Sequence, residues 1–293
     1  MLTAIVPISK MAGKLQNLES WLLVARDCNI QVIIVHDIQD KNTQPELNQL
    51  LATVQSDEVI SFSGQYGSPG MARNKGLSES KTQFVTFWDS DDLPNPKIVI
   101  NEISTCQKEF DILIGQYSMK NFTLSKNTKI TSTDFGLNSI AFNPGIWRMV
   151  FNKNFIGTLK YTDLLIGEDQ VFLAECINHK PKIVFSEKLF YEYFIGFEGQ
   201  LTRKISARPD LIKAYEKILE LKSVSTGKEL EFLSIISTRM FLTIVKSMLK
   251  GSLKISSLTL IKKWKFNNRP RFTKNNLHAL IFIFSRFLGR NNQ

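Results

Sequence analysis

The chain has 293 residues, of which 43% are hydrophobic and 22% charged, so it can bury a sizeable core, and wholesale disorder is excluded. Its three cysteines, Cys28, Cys106 and Cys176, are scattered and form neither a zinc-binding spacing nor a disulfide framework, which is typical of a reducing cytoplasm. The net charge of +10 suggests an anionic partner for whichever segment carries it.

The first 115 residues alternate between short runs of β-forming residues and longer segments with helical spacing. The run at 2–9 has no basic region before it, and we interpret it as a β-strand and not as a signal peptide. Similar runs follow at 30–37, 58–64 and 83–89, with helical patterns between them. This alternation predicts βαβ units and a mostly parallel sheet, in which ligands bind beyond the carboxyl ends of the strands.

The rest of the chain changes character twice. Residues 116–205 mix strand and helix patterns, and from about residue 208 the pattern is helical to the end. We therefore predict an α/β domain over 1–205, with halves at about 1–115 and 116–205, followed by an all-helical basic extension over 206–293. We expect no membrane-spanning helix, because no unbroken apolar run approaches the roughly 18–20 residues that a span needs.

The segment GSPGMARNKGLSES, residues 67–80, is interpreted as a tight turn that leads into a helix at Met71. The first turn of a helix presents free backbone N–H groups to an anion, and Arg73 in that turn could add a charge-assisted hydrogen bond. An ordinary loop-to-helix junction with a surface arginine explains the same residues. The glycines match neither the P-loop nor the GxGxxG pattern.

Three aspartates, Asp89, Asp91 and Asp92, directly follow the fourth strand-like run in QFVTFWDSDDLPNP, residues 83–96. Mg²⁺ and Mn²⁺ prefer oxygen ligands, and nucleotide sites typically combine one or two carboxylates with substrate phosphates. On an extended backbone Asp89 and Asp91 point the same way, whereas Asp92 is free to brace the loop. The motif alone fits either half of a metal–diphosphate site or an acidic turn that ends a strand.

A second acidic pair, Glu168 and Asp169, precedes the apolar helical pattern of YTDLLIGEDQVFLAE, residues 161–175. Acidic residues are common at the start of a helix, since they cap it and interact favourably with its dipole. The functional alternative is that one of them acts as a general base toward a bound acceptor.

The basic residues are concentrated at the end of the chain. Residues 232–293 contain 12 Lys and Arg and no Asp or Glu, whereas residues 1–231 contain 25 basic and 27 acidic residues. The apolar stretch at 277–289 is too short to span a bilayer, and with these cations it resembles an interfacial anchor on an anionic membrane. A helical bundle that packs on the preceding domain is the alternative. No nucleic-acid-binding motif is present, and we expect no nucleic-acid partner.

Taken together, the order and spacing of TAIVPIS, QVIIVHD, GMARNKGLSES, FVTFWDSDDLPNP, GIWRMVFNKNFI, GEDQVFL and FYEYF resemble the glycosyltransferase family 2 superfamily. The resemblance covers roughly residues 1–205 and implies the nucleotide-sugar-binding GT-A fold, with a Rossmann-like sheet. It departs from the family at HDIQDK, residues 36–41, where an acidic pair and a Gly-Ser turn are usual. This departure implies altered contacts to the donor base.

The resemblance also implies roles for individual residues. The donor nucleotide would be held by Pro7, Asp37, Arg73, Asp89 and Ser90, with Asp91. Asp91 and Asp89 would bind Mn²⁺ or Mg²⁺, with Asp89 on the ribose side. Asp169, with Glu168 second, would be the general base, and Trp147 and Tyr193 would lie on the acceptor side.

The implied protein is an inverting glycosyltransferase that moves a sugar from a nucleotide-diphosphate sugar, a UDP-sugar by preference, to a glycan or lipid-linked glycan. The family further implies a cytoplasmic enzyme, peripheral at the inner face of a bacterial membrane, that builds a cell-surface polysaccharide. Two alternatives of another class are a sugar nucleotidyltransferase, which releases pyrophosphate, and a non-catalytic nucleotide-sugar-binding protein.

Overall fold

The computed structural model describes residues 1–121, 126–128, 136–195, 205–249 and 253. The strands in these residues are β1 (Leu2–Ile8), β2 (Gln31–Asp37), β3 (Val59–Gly64), β4 (Phe84–Phe87), β5 (Leu93–Pro94), β6 (Ile112–Asn121), β7 (Lys126–Thr128), β8 (Met149–Asn152) and β9 (Ile183–Ile195). The α-helices are α1 (Gln16–Asp27), α2 (Thr43–Val54), α3 (Pro69–Glu79), α4 (Pro96–Thr105), α5 (Leu137–Phe142), α6 (Lys153–Ile156), α7 (Glu168–Asn178), α8 (Arg208–Val224) and α9 (Gly227–Leu249). Short 3-10 helices lie at Ile146–Arg148 and Ile205–Ala207.

The chain forms two compact units that do not follow a single cut in the sequence. The first unit comprises Met1–Thr133, Gly145–Leu165 and Pro181–Gln200, and the second comprises Asp134–Pro144, Ile166–Lys180 and Leu201–Gln293. The first unit contains the sheet, and the second contains α5, α7, α8 and α9. Two segments that precede residue 205 therefore group with the C-terminal helices.

The sheet of the first unit has the strand order β3-β2-β1-β4-β8-β6-β9-β5, with β7 paired to β6. The strands β1 to β4 are parallel, as the sequence predicts, and helices connect them. The strand β8 is antiparallel to both β4 and β6, and β9 is parallel to β6. The order reverses at β1, which has β2 on one side and β4 on the other. In open α/β sheets, ligands bind at such a switch point.

The two faces of the parallel sheet are covered by different helices. On one face α1 buries Leu18, Trp21, Leu22 and Ala25, as its helical spacing predicts. Trp21 meets Trp88 edge-on, with ring centroids 5.2 Å apart, so this core reaches the residue just before the aspartates. On the other face α3 approaches β1 so closely that a Cβ on Gly76 would lie 2.4 Å from Ile5.

Local sequence also fixes the helices that flank the aspartates. Ser68 precedes Pro69, and its hydroxyl accepts a hydrogen bond from the Met71 N–H at 3.4 Å. Asn95 precedes Pro96 and caps α4 in the same way. A side-chain oxygen at the N-cap followed by proline is a strong helix start, because proline needs no hydrogen-bond acceptor there.

The second unit is a helical assembly in which α9 contacts α5, α7 and α8. Its tightest point is Gly167, the residue before α7, which has a φ of +87°. A Cβ at this position would lie 2.8 Å from the Cβ of Ala214 in α8. Both the left-handed backbone and the lack of space therefore require glycine at this point.

Within the described residues one helix, α9, is long and apolar enough to cross a bilayer by length and composition. Half of its apolar window is buried, and a buried core helix satisfies the same criteria. The apolar residues of α9 are interrupted by serines and threonines and by Arg239 and Lys246, so the helix contains no unbroken apolar run of that length, and the expectation of no membrane-spanning helix stays a prediction. The apolar stretch at 277–289 lies outside the described residues.

We predict that Lys222 in α8 makes the stability of the protein depend on pH. Burial lowers the pKa of Lys222 from an ordinary value of 10.5 to about 8. Its neutral form is therefore favoured in the fold, and stability linked to this group increases as pH rises from about 8 to 10.5 and is lost as pH falls through 8. Lys222→Met should add on the order of 1 kcal/mol at pH 7, a value reduced for partial exposure.

Urea unfolding at several pH values measures this effect. The advantage of Lys222→Met over the wild type should shrink between pH 8 and 10. Lys228→Met, at an exposed position in the first turn of α9, serves as the control and should give a constant difference. A Lys222→Met advantage that does not change with pH would contradict the prediction.

Candidate active site

The three aspartates lie in the loop that leaves β4 at the switch point of the sheet. The Trp88 N–H still donates to the Ile5 carbonyl of β1 at 3.1 Å, so the loop begins directly at the sheet. Asp89 and Asp91 are half-buried, whereas Ser90 and Asp92 are buried. The loop thus presents two carboxylates toward solvent and turns the third inward.

The buried carboxylate of Asp92 attaches the loop to β9. One of its oxygens accepts from the Phe194 N–H at 2.7 Å, and the other accepts from the Tyr191 hydroxyl at 3.0 Å. Burial raises the pKa of Asp92 well above its ordinary value, and the charges of Asp91 and Asp89 raise it further. Asp92 therefore braces the loop, as the sequence suggested, and its raised pKa lessens the repulsion among the three residues.

Arg73 of α3 reaches the same loop. Its guanidinium donates to Asp89 Oδ1 at 2.8 Å, and only 7% of the arginine side chain is exposed, against 28% for the aspartate. The guanidinium also lies 5.6 Å from the centroid of the Tyr161 ring. The structure thus brings together two of the predicted donor residues, and one carboxylate oxygen of Asp89 is already engaged by the arginine.

The neighbouring residues of α3 hold the segment around Tyr161. The Asn74 side chain donates to the Tyr161 carbonyl at 2.9 Å and accepts from the Tyr161 N–H at 2.8 Å. Ser68 donates to an Asp163 carboxylate oxygen at 2.7 Å. Neither Ser68 nor Asn74 is predicted from the sequence as a residue of the site, although both lie in the segment 67–80 that contains Arg73.

Asp37, at the end of β2, organises the turn that leads to α3. Its Oδ1 accepts from the N–H groups of Tyr66 and Gly67 at 2.8 and 3.2 Å, and its Oδ2 accepts from the Gln39 side chain at 2.9 Å. Pro7 lies in β1 beside β2 and is partly exposed. These two predicted residues therefore lie near the carboxyl ends of adjacent parallel strands.

His36 explains part of the departure from the family pattern at residues 36–41. Its imidazole is buried, and Nδ1 lies 2.8 Å from Gln44 Oε1 of α2. The Ser63 hydroxyl donates to the same Gln44 oxygen at 2.6 Å. The histidine is therefore a packing residue between β2, β3 and α2.

A second loop at the switch point, between β1 and α1, is held by the first turn of α2. The Thr43 hydroxyl accepts from the N–H groups of Met11 and Ala12 at 2.9 and 3.1 Å. Asp40 caps α2, and hydrogen bonds, above all from the Thr43 N–H, lower its pKa. Farther along, the Asn17 side chain of α1 donates to the Asp91 carbonyl at 2.8 Å.

Aromatic side chains form a stack beside the aspartate loop. The indole of Trp147 lies nearly parallel to the rings of Tyr191 and Tyr193, with centroids 4.6 and 5.1 Å away, and meets Tyr117 edge-on at 4.8 Å. Trp147 and Tyr193 are half-buried, whereas Tyr191 is buried. The two predicted acceptor-side residues are therefore in contact, and Tyr191 joins them to the loop.

The predicted base residues lie in the second unit, in the first turn of α7. Glu168 is buried, and Asp169 is half-buried, with Oδ1 accepting from the Gln170 N–H at 2.8 Å. The turn is held by Gly167, which packs against Leu211 and Ala214 of α8 and Met240 of α9. The C-terminal helices therefore hold the helix that carries both acidic residues.

The donor-side residues fit a divalent metal of the kind that binds with a nucleotide. No group of three or more His, Cys, Asp or Glu that could hold a metal ion occurs within the described part of the chain. A nucleotide-linked Mg²⁺ or Mn²⁺ does not need such a group, because phosphates and water complete its coordination. The half-exposed carboxylates of Asp89 and Asp91 satisfy this lower requirement.

Comparison with known proteins identifies the family of the chain. The family model described as Glycosyl transferase family 2 matches residues 15–162, half of the chain. The chain is 27% identical over 208 residues to poly(ribitol-phosphate) beta-N-acetylglucosaminyltransferase TarP of Staphylococcus aureus (strain N315). That match covers 66% of this chain and 62% of TarP, so the chain spans less than two thirds of this relative.

Two solved structures show the same fold. S. aureus TarS 1–349 in complex with UDP-GlcNAc has a TM-score of 0.68 at 15% identity, covering 88% of this chain and 78% of that one. The mannosyltransferase PcManGT from Pyrobaculum calidifontis, in complex with GDP-Man and Mn²⁺, has a TM-score of 0.58 at 11% identity. The latter match covers 98% of this chain and 86% of that one. The expected GT-A fold is thereby confirmed.

We predict that the ion pair of Arg73 and Asp89 stabilises the protein far more than a surface pair does. Arg73→Met should lower the free energy of unfolding by about 2 kcal/mol, because it leaves Asp89 partly buried without its arginine. Arg26→Met removes a more exposed pair, with Asp27, and should cost less than about 0.5 kcal/mol. Urea denaturation measures both values, and equal losses in the two variants would contradict the prediction.

Proposed function

Since the chain belongs to glycosyl transferase family 2 and is a glycosyltransferase, we propose that it transfers a sugar from a nucleotide-diphosphate sugar to a hydroxyl group with inversion at the anomeric carbon. The observation that carries this proposal is the convergence of Asp89, Asp91 and Arg73 at the switch point of the sheet. A nucleotide diphosphate needs cationic and metal-binding groups at such a place.

The donor is a nucleotide-diphosphate sugar, with a UDP-sugar as the first choice. The structural neighbours that bind UDP-GlcNAc and GDP-Man support a nucleotide-sugar donor. In this proposal Asp37 contacts the nucleobase, Asp89 lies on the ribose side, and Pro7 and Ser90 also hold the nucleotide. The buried packing of His36 separates this chain from family members that carry an acidic residue at its position.

Asp91, with Asp89, holds Mn²⁺ or Mg²⁺ in this proposal. When bound with the donor, the ion supplies positive charge beside the diphosphate as it leaves. Arg73 holds one carboxylate oxygen of Asp89 through a hydrogen bond of 2.8 Å. The Mn²⁺ complex of PcManGT supports this choice of cofactor.

Asp169 is the general base, with Glu168 as the second choice. A proton passes from the acceptor hydroxyl to the Asp169 carboxylate while the acceptor oxygen bonds to the anomeric carbon. The bond between that carbon and the diphosphate oxygen breaks, and its electron pair leaves with the diphosphate. Asp169 is half-buried, which suits a base that must meet a substrate, whereas Glu168 is more buried.

The acceptor is a glycan or a lipid-linked glycan of the bacterial cell surface. Trp147 and Tyr193 are partly exposed aromatic residues of the kind that sugar rings contact through their C–H groups. The poly(ribitol-phosphate) substrate in the name of TarP supports a cell-surface polymer. We propose a cytoplasmic enzyme, peripheral at the inner membrane face, whose basic residues in 232–293 contact anionic lipid.

We predict that Asp169→Asn lowers transfer by about 10²–10⁴-fold while the donor still binds, because only proton removal is lost. Transfer is measured as UDP release from UDP-GlcNAc, with poly(ribitol phosphate) and a lipid-linked disaccharide tested as acceptors. Asp210→Asn, in the first turn of α8, is the matched control and should keep the wild-type rate. Near-normal turnover by Asp169→Asn would refute the assignment, and pyrophosphate release would favour a nucleotidyltransferase.

We predict that Asp91→Ala abolishes Mn²⁺-dependent stabilisation by the donor. A ligand that binds only the folded protein raises its melting temperature, so a thermal-shift panel of nucleotide sugars with Mn²⁺ reports the site directly. The wild type should shift only with nucleotide and metal together, and so should the exposed control Asp57→Ala. An unchanged Mn²⁺-dependent shift in Asp91→Ala would assign the metal to other residues.

A further inference from the structure

Tyr191 occupies a point in the first unit where the aspartate loop and the aromatic stack meet. Its hydroxyl accepts a hydrogen bond from the Asp89 N–H at 2.9 Å and donates to Asp92 Oδ2 at 3.0 Å. The side chain is completely buried, and the residue lies in the middle of β9. One phenol therefore fixes the backbone at one end of the loop and a side chain at the other.

The ring of Tyr191 is held as firmly as its hydroxyl. Trp147 stacks on it with an interplanar angle of 21°, and Tyr117 is its partner in the pairing of β6 with β9. The backbone of Tyr191 also pairs with Pro94, just beyond the loop. Rotation of the phenol away from Asp89 would break its stack with Trp147, and the strand pairing fixes the backbone from which the ring projects, so the position of the hydroxyl is fixed.

The orientation of the Asp89 N–H depends on the Tyr191 hydroxyl. The preceding N–H, that of Trp88, still donates to a carbonyl of β1, whereas the Asp89 N–H donates to a side chain of a distant strand. The orientation of the peptide bond at Asp89 sets the position and direction from which its side chain projects. A small rotation there would move the carboxylate away from Arg73 and change its distance to Asp91.

We propose that Tyr191 is a positioning residue, whose hydroxyl sets the geometry with which Asp89 and Asp91 receive the metal and diphosphate of the donor. The proposal rests on the proposed function, because it presumes that these two carboxylates bind the donor. Asp92 is a second positioning residue in this proposal, because it accepts the hydrogen bond that orients the Tyr191 hydroxyl.

The first test needs no ligand and uses hydrogen exchange of the full chain. Tyr191→Phe keeps the ring and its stack but removes the hydroxyl, and exchange in residues 88–92 should become about tenfold faster. Tyr215→Phe is the matched control, because it removes the hydroxyl of a buried tyrosine in α8 of the second unit. That variant should leave exchange in residues 88–92 unchanged.

The second test measures binding of Mn²⁺ in the presence of saturating UDP, by electron paramagnetic resonance of the free ion. Tyr191→Phe should weaken Mn²⁺ binding about tenfold, whereas Tyr215→Phe should bind Mn²⁺ as the wild type does. Asp92→Ala, which removes both carboxylate oxygens, should weaken binding similarly. The double variant should be no weaker than either single one, because both changes break the same chain of hydrogen bonds.

The outcomes distinguish failure of the positioning role of Tyr191 from failure of the proposed function. The positioning role would be overturned if residues 88–92 of Tyr191→Phe exchanged hydrogen at the wild-type rate. It would also be overturned if they exchanged faster but the affinity for Mn²⁺ did not change. Either result would leave the transferase proposal intact. Additive losses in the double variant would also overturn the positioning role. If the wild type bound no Mn²⁺ with UDP, the metal-dependent function would fail, and the positioning role would fail with it.

Discussion

The repulsion among three aspartates in four residues is the constraint that shapes this part of the molecule. The structure relieves it differently at each position, through Arg73 beside Asp89, partial exposure of Asp91, and a raised pKa at the buried Asp92. Two of these solutions require another element to reach the loop, namely α3 for the arginine and β9 for the partners of Asp92. The three carboxylates therefore lie close together where these elements meet at the switch point.

The two units divide the proposed chemistry between them. The sheet unit carries the donor-side residues and the aromatic stack, while the helical unit carries Glu168 and Asp169. The family match covers residues 15–162 and so ends before this acidic pair, whose assignment depends on the GED resemblance and on the environment of α7. The C-terminal helices are therefore more than an appendage, because α8 and α9 pack against the residue that precedes α7.

Much of the donor side could be predicted from sequence, because its signals are local. Alternating β and helix patterns place the strands, and the carboxyl ends of parallel strands bring Asp37, Arg73 and Asp89 to one edge. Tyr191 could not be predicted in the same way, since its partner Asp89 is 102 residues away and no pattern shows that β9 lies beside β5 and β6. The same limit applies to Thr43 and Asn17, whose polar side chains look like ordinary helix-start residues. Segment 166–180 groups with α8 and α9, and Gly167 packs against both helices. No periodic pattern in the sequence predicts this contact.

The packing of Gly167 against Ala214 has a consequence for how this enzyme and its relatives can be recombined. A chimera joined near residue 205 would bring a foreign α8 against the native start of α7. A larger side chain at position 214 of that helix would crowd the backbone of Gly167 and strain the GED turn, although the whole sheet unit remained native. In such a chimera, segments 134–144 and 166–180 therefore need to come from the same protein as the C-terminal helices.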